Sequence, residues 1–130
     1  MRKLIGLTFL ALGVIAGVAL LLAPFGKSPL GAGPLMWFTF PVGCVIGHVS
    51  LMVGADRAQM ALHSTIVGGT LLLLGLAATV LQFLVSGGLV AAAEDTFSLW
   101  YVASGGFVLG GVAWALRGAG GAGKGATPQG

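Results

Sequence analysis

Solid apolar runs alternate with short polar breaks along this chain, and each run is long enough to be a membrane-crossing helix. The first run covers about 4–23 and stops at Pro24-Phe25-Gly26. The second covers about 35–54, after the breaker Gly31-Ala32-Gly33-Pro34. The third covers about 58–85 and stops at Ser86-Gly87-Gly88, and the fourth covers about 97–116. About 20 apolar residues cross the roughly 30 Å hydrocarbon layer as a helix. All four runs reach that length, and the third exceeds it enough to require tilt or a projecting end. Membrane β-strands would alternate over about 10 residues, which these runs do not do. Lipid offers no partner for backbone N–H and C=O groups, so each run pairs its own, as a helix. The fold predicted is all-α: a polytopic membrane protein with a four-transmembrane-helix bundle over 1–117 and a tail over 118–130.

Composition makes a water-soluble alternative implausible. Charged residues are 7% and hydrophobic residues 57% of the 130, with a mean hydropathy of +1.05. A soluble domain carries about 25% charged residues to cover its core. The few charges are informative by position. Arg2, Lys3, Arg57, Arg117 and Lys124 fall on one side of a four-span arrangement, and Lys27 on the other. The positive-inside rule places the first group in the cytoplasm, with both termini and the Asp56-Arg57 turn. A bacterial inner membrane is the expected location. Trp37, Trp100 and Tyr101 near the outer ends, and Trp114 near the inner end, suit headgroup level. Met1-Arg2-Lys3 before an apolar run also opens secretory signals, but the run exceeds their 7–15-residue apolar core. The basic balance is explained by topology and calls for no nucleic-acid partner. A single cysteine, Cys44, permits no internal disulfide.

Glycine is the second signal. Pairs at spacing four recur at Gly13/Gly17, Gly43/Gly47 and Gly106/Gly110, and small residues at that spacing let helix backbones approach closely. They predict packing within the bundle. Span four has glycine on more than one side, which extends the expectation to other transmembrane subunits. Pro41 interrupts span two, with Thr39 nearby to satisfy the carbonyl it leaves without a donor. The tail from Gly118 to Gly130 is Gly-rich and aperiodic, and predicts no regular structure in isolation.

One cluster carries candidate chemistry. Ionisable residues inside a membrane are costly and default to functional hypotheses. His48 and His63 each lie about seven residues from the turn centred on Ala55-Asp56, and so share a depth in a helical hairpin. Two facing imidazoles suit a b-type haem, with Arg57 for a propionate, or another bound pigment or quinone. Cys44, His48 and Met52 at spacing four, with Met60 and His63 opposite, offer thiol, thioether and imidazole to a soft metal such as Cu(I). The bland alternative is that each histidine bonds a hydroxyl on a neighbouring helix, for which Ser50, Ser64 and Thr65 are at hand. A four-helix membrane bundle with paired histidines resembles, in architecture, the haem-bearing anchor subunits of quinone-linked respiratory enzymes. That resemblance implies axial histidine ligation and is carried by no sequence motif.

No nucleophile triad, phosphate loop or intramembrane carboxylate pair is present, so an enzyme is not expected. Asp56 is expected to pair with Arg57 or to cap span three. The role expected is a structural or assembly subunit of a larger membrane complex, held by lipids and partner spans. The alternatives are an electron-transfer subunit with a cofactor at His48 and His63, and a small channel or carrier. The charge distribution gives a direct test. A cysteine replacing Lys27 should react with an impermeant thiol reagent from outside, and one replacing Ala119 only after permeabilisation; the reverse pattern overturns the topology.

Overall fold

The computed structural model describes residues 1–27 and 33–126, with side chains up to residue 117. The described chain is helical throughout apart from its connections. It forms α1 (Arg2–Leu22), α2 (Pro34–Met52), α3 (Arg57–Ser86) and α4 (Phe97–Ala126), with one 3-10 turn, Ala23–Phe25, extending α1. All four helices are long and apolar enough to cross a membrane. The protein is an integral membrane protein built as a four-helix bundle. Large apolar side chains such as Leu7, Ile15, Phe38, Leu73 and Val108 lie exposed on its outside, which only a hydrocarbon surrounding tolerates.

Local sequence explains the helix ends. Pro34 opens α2 at a position where its missing N–H costs nothing. Asp56 caps α3: its carboxylate accepts the Gln59 N–H at 2.8 Å, while Gln59 Oε1 accepts the Asp56 N–H at 3.4 Å. This reciprocal capping box satisfies two donors at a helix start. Gly54 adopts φ 78° just before it, a left-handed turn conformation suited to glycine. The helix α4 continues to Ala126, through a stretch in which composition predicts no regular structure. Adding a residue to an existing helix gains a hydrogen bond without the cost of starting one. Residues 127–130 lie outside the described chain.

The bundle consists of two tight hairpins, α1 with α2 and α3 with α4, and contact between the hairpins is sparse. Backbone meets backbone within each. A Cβ on Gly43 would stand 2.7 Å from the Phe9 carbonyl oxygen, and one on Gly47 would stand 2.5 Å from the Leu10 nitrogen. In the second hairpin, a Cβ on Gly106 would lie 2.7 Å from the Leu71 carbonyl oxygen, and one on Gly110 would lie 2.8 Å from the Leu72 nitrogen. These helices are as close as they are because no side chain stands between them.

Phe40 joins the two hairpins. Its ring is fully buried and wedged between Gly17 of α1 and Gly105 of α4, where an added Cβ at either position would come within 2.8 Å of it. Trp37, Phe97 and Tyr101 stack beside it towards the α1–α2 connection. Pro41 cannot donate a backbone hydrogen bond, so the carbonyl four residues before it, that of Trp37, lacks its helical donor. Tyr101 Oη donates to that carbonyl at 2.6 Å. The compensation therefore comes from α4 and not from Thr39. At the same end the Pro24 carbonyl accepts the N–H groups of Ala93 and Glu94, at 2.8 and 3.0 Å, fastening the α3–α4 connection to the end of α1. At the opposite end the Arg2 guanidinium lies over Gly54, and Arg117 stacks 4.1 Å from the Trp114 ring centre.

Replacing Gly47 with Ala should cost about 1–3 kcal/mol, the usual penalty of overpacking, because the new methyl meets backbone that cannot swing away. Gly111→Ala, where a Cβ would meet nothing within 4 Å, should be neutral or stabilising by up to about 1 kcal/mol. Reversible unfolding in mixed micelles measures both, and equal effects would remove backbone contact as the organising feature.

Candidate functional site

Two of the three buried polar side chains among the described residues, His48 and Ser64, meet where α2 approaches α3; the third, Ser98, is near the start of α4. His48 is one turn from the end of α2, about 6 Å inside it at 1.5 Å per residue, and is 9% exposed. Its Nε2 lies 3.3 Å from Ser64 Oγ on α3. Ser64 is itself fully buried and its hydroxyl reaches Met52 Sδ at 3.7 Å. Ser64 thus stands between an imidazole and a thioether. Its neighbour on α3, Thr65, turns its hydroxyl to the Ala61 carbonyl of its own helix at 2.7 Å, which leaves Ser64 to serve α2.

Hydrogen counting ties the direction of this chain to the tautomer of His48. With the ring proton on Nε2, the ring donates to Ser64 Oγ and the hydroxyl proton is left for Met52 Sδ, which can only accept. With the ring proton on Nδ1, the Ser64 hydroxyl donates to Nε2, and Met52 is a packing contact. No second hydrogen bond reaches the ring among the described residues.

His48 also lines a crevice of about 170 Å³ between α2, α3 and α4, with Cys44, Val67, Leu71, Leu109 and Val112 among its walls. It exists because α2 and α4 belong to different hairpins and only graze each other. A cavity of about 150 Å³ holds a single benzene ring. The crevice is on that scale and not on the scale of a porphyrin, and a haem gripped by His48 Nε2 would also have to displace Ser64. The residues do not fit that group in this arrangement.

The other candidate residues are spread more widely. His63 precedes Ser64 and so sits about 100° around α3 from it; it is half-buried. Met60 is half-buried one turn before Ser64. Cys44 is buried at 2% exposure, its sulfur packed against Gly13 of α1. Arg57, the first residue of α3, is exposed, about 9 Å along the helix from His63. Three or more His, Cys, Asp or Glu close enough to hold a metal ion do not occur among the described residues. The arrangement brings together His48, Ser64 and Met52, and keeps Cys44 on the α1 side. Sequence reasoning named Ser64 only as one hydroxyl of three, and it did not find the crevice, whose α4 wall has no polar marker.

No protein-family model, curated protein or solved structure matches this chain.

Ser64→Ala removes the partner of both His48 and Met52. Hydrogen bonds between membrane helices average about 0.6 kcal/mol with a maximum near 1.7, and a loss towards the upper figure is expected here. Thr65→Ala, which breaks only a bond within one helix, should cost less. Thermal unfolding in detergent compares them; a Ser64→Ala protein as stable as the parent would show that the contact does not hold α2 to α3.

Proposed function

We propose that this chain is a small, non-catalytic subunit of a larger membrane assembly, which packs against a partner span through α4. The observation that carries this reading is the division of labour on that helix. Gly106 and Gly110 are used inside the bundle, against the backbone of α3. Ser104, Gly111 and Ala115 fall on a different face, at spacings of seven and four that return to one side of a helix. Ser104 and Ala115 are exposed and Gly111 is half-buried with nothing near it. Small residues on an unoccupied face suit the close approach of another helix. The helix also runs on past Arg117 to Ala126, which offers a further surface beyond the span. Lean connections agree, since a free-standing receptor or enzyme ordinarily presents more polar surface.

Partner lipids and spans would then surround a bundle in a bacterial inner membrane, with both termini cytoplasmic, as the positive-inside rule implies. Arg2, Arg57 and Arg117 at one end would meet anionic headgroups there. A second reading, a cofactor-binding subunit, draws on one observation: His48 lines the crevice.

The test uses the full chain purified in mild detergent. It should migrate on native gels well above its monomer. Gly111→Leu, and separately deletion of 118–130, should shift it towards the monomer without impairing insertion. Leu73→Ala, on the exposed surface of α3, should change nothing. A parent protein that already runs as a lone monomer overturns the subunit reading.

A further inference from the structure

An open depression of about 530 Å³ lies between the start of α1 and the connection that leaves α2. We infer that it seats the phosphate of an anionic membrane lipid. Arg2 and Lys3 line one side of it, and Ser50, Val53 and Gly54 the other. The charged tip of Arg2 is itself at this wall: Nη1 and Nη2 each lie 3.6 Å from the place a Gly54 Cβ would take. Neither basic side chain makes a hydrogen bond or ion pair among the described residues. No carboxylate is among the described residues that line the depression. Asp56, the nearest acid along the chain, has its side chain engaged by the Gln59 N–H at the start of α3.

Those groups select charge and chemistry together. A guanidinium offers a planar fork of N–H donors that matches phosphate oxygens, and it has no acceptor to offer a cation. Two basic residues without an acid favour a ligand of net negative charge; in a zwitterionic headgroup the ligand's own ammonium opposes them. The volume lies within the range of about 300–1,000 Å³ usual for small-ligand sites. The source of the phosphate follows from what adjoins it. Leu4 and Ile5 on α1 and Val49 on α2 come next along the two helices, towards the middle of the span, and all three are exposed. A phosphate at Arg2 with hydrocarbon laid on those side chains belongs to a lipid. The inference holds whether or not the chain is a subunit, and on either side of the membrane.

The test titrates the full chain in a neutral detergent with dioctanoyl-phosphatidylglycerol and counts bound lipid by native mass spectrometry. Saturable binding is expected, with dioctanoyl-phosphatidylcholine, equal in tails and phosphate but neutral overall, binding more weakly. Arg2→Gln should weaken the anionic lipid about fivefold, the usual worth of one basic residue near an anionic headgroup. Val53→Trp, at an exposed position in the wall, adds bulk without altering charge and should weaken it too. Glycerol phosphate, a phosphate without tails, should not displace the lipid even in excess. The comparison of the two lipids on the parent protein needs no variant, so it stands even if a substitution impairs folding. Equal binding of the two lipids overturns the proposal. Loss on Arg2→Gln with none on Val53→Trp would show attraction to surface charge without a seat, and overturns it equally. Displacement by glycerol phosphate would make the ligand a soluble phosphate and overturns the lipid.

Discussion

The closeness of backbone to backbone inside each hairpin is the constraint from which the rest of this structure follows. In lipid the hydrophobic effect does not drive helices together, and dispersion between well-fitted surfaces has to. Dispersion falls away steeply with any gap. Gly43 and Gly47 against α1, and Gly106 and Gly110 against α3, bring main-chain atoms into contact where a single methyl group would intrude. The consequence is a bundle of two rigid pairs, not four equivalent helices.

Two rigid pairs cannot also fit each other closely along their whole length. They meet around Phe40, whose ring occupies the space that Gly17 and Gly105 leave open, and at the end where Pro24 takes two hydrogen bonds from the α3–α4 connection. The polar contact between Tyr101 and the Trp37 carbonyl lies in the same region. Farther along, α2 and α4 part, and the crevice opens there. A gap lined by aliphatic groups and His48 is therefore a product of how glycine paired the helices.

Much of this was legible in the chain and some was not, for identifiable reasons. The four helices could be read because membrane spans advertise themselves by length and uniform apolarity; the ends of the first three fell within a few residues of the proline, glycine and aspartate signals, while α4 continues to Ala126, about ten residues past the expected end. The Asp56 cap could be read because its chemistry is local. The partner of the Trp37 carbonyl could not, since Tyr101 is 64 positions away and only the packing of α4 on α2 brings it near. Thr39 was nearer in sequence but on the wrong side of the problem. Spacing from the turn gave an expected depth for His48 and His63. The rotation of each helix was not available from spacing, and rotation is what gives His48 to Ser64 and turns the sulfur of Cys44 to Gly13.

The histidine and its neighbours show what a membrane interior asks of a polar side chain. An imidazole has two nitrogens, and burial away from water penalises polar groups left without partners. Ser64, fully buried on α3, serves Nε2 of His48 at 3.3 Å, and its hydroxyl lies between that ring and Met52 Sδ at 3.7 Å. A hydroxyl has one proton, so it donates to the ring in one tautomer of His48 and is left for the thioether in the other. The tautomer of one imidazole on α2 therefore decides whether Met52, a residue that looks like filler in the sequence, acts as an acceptor or as plain packing.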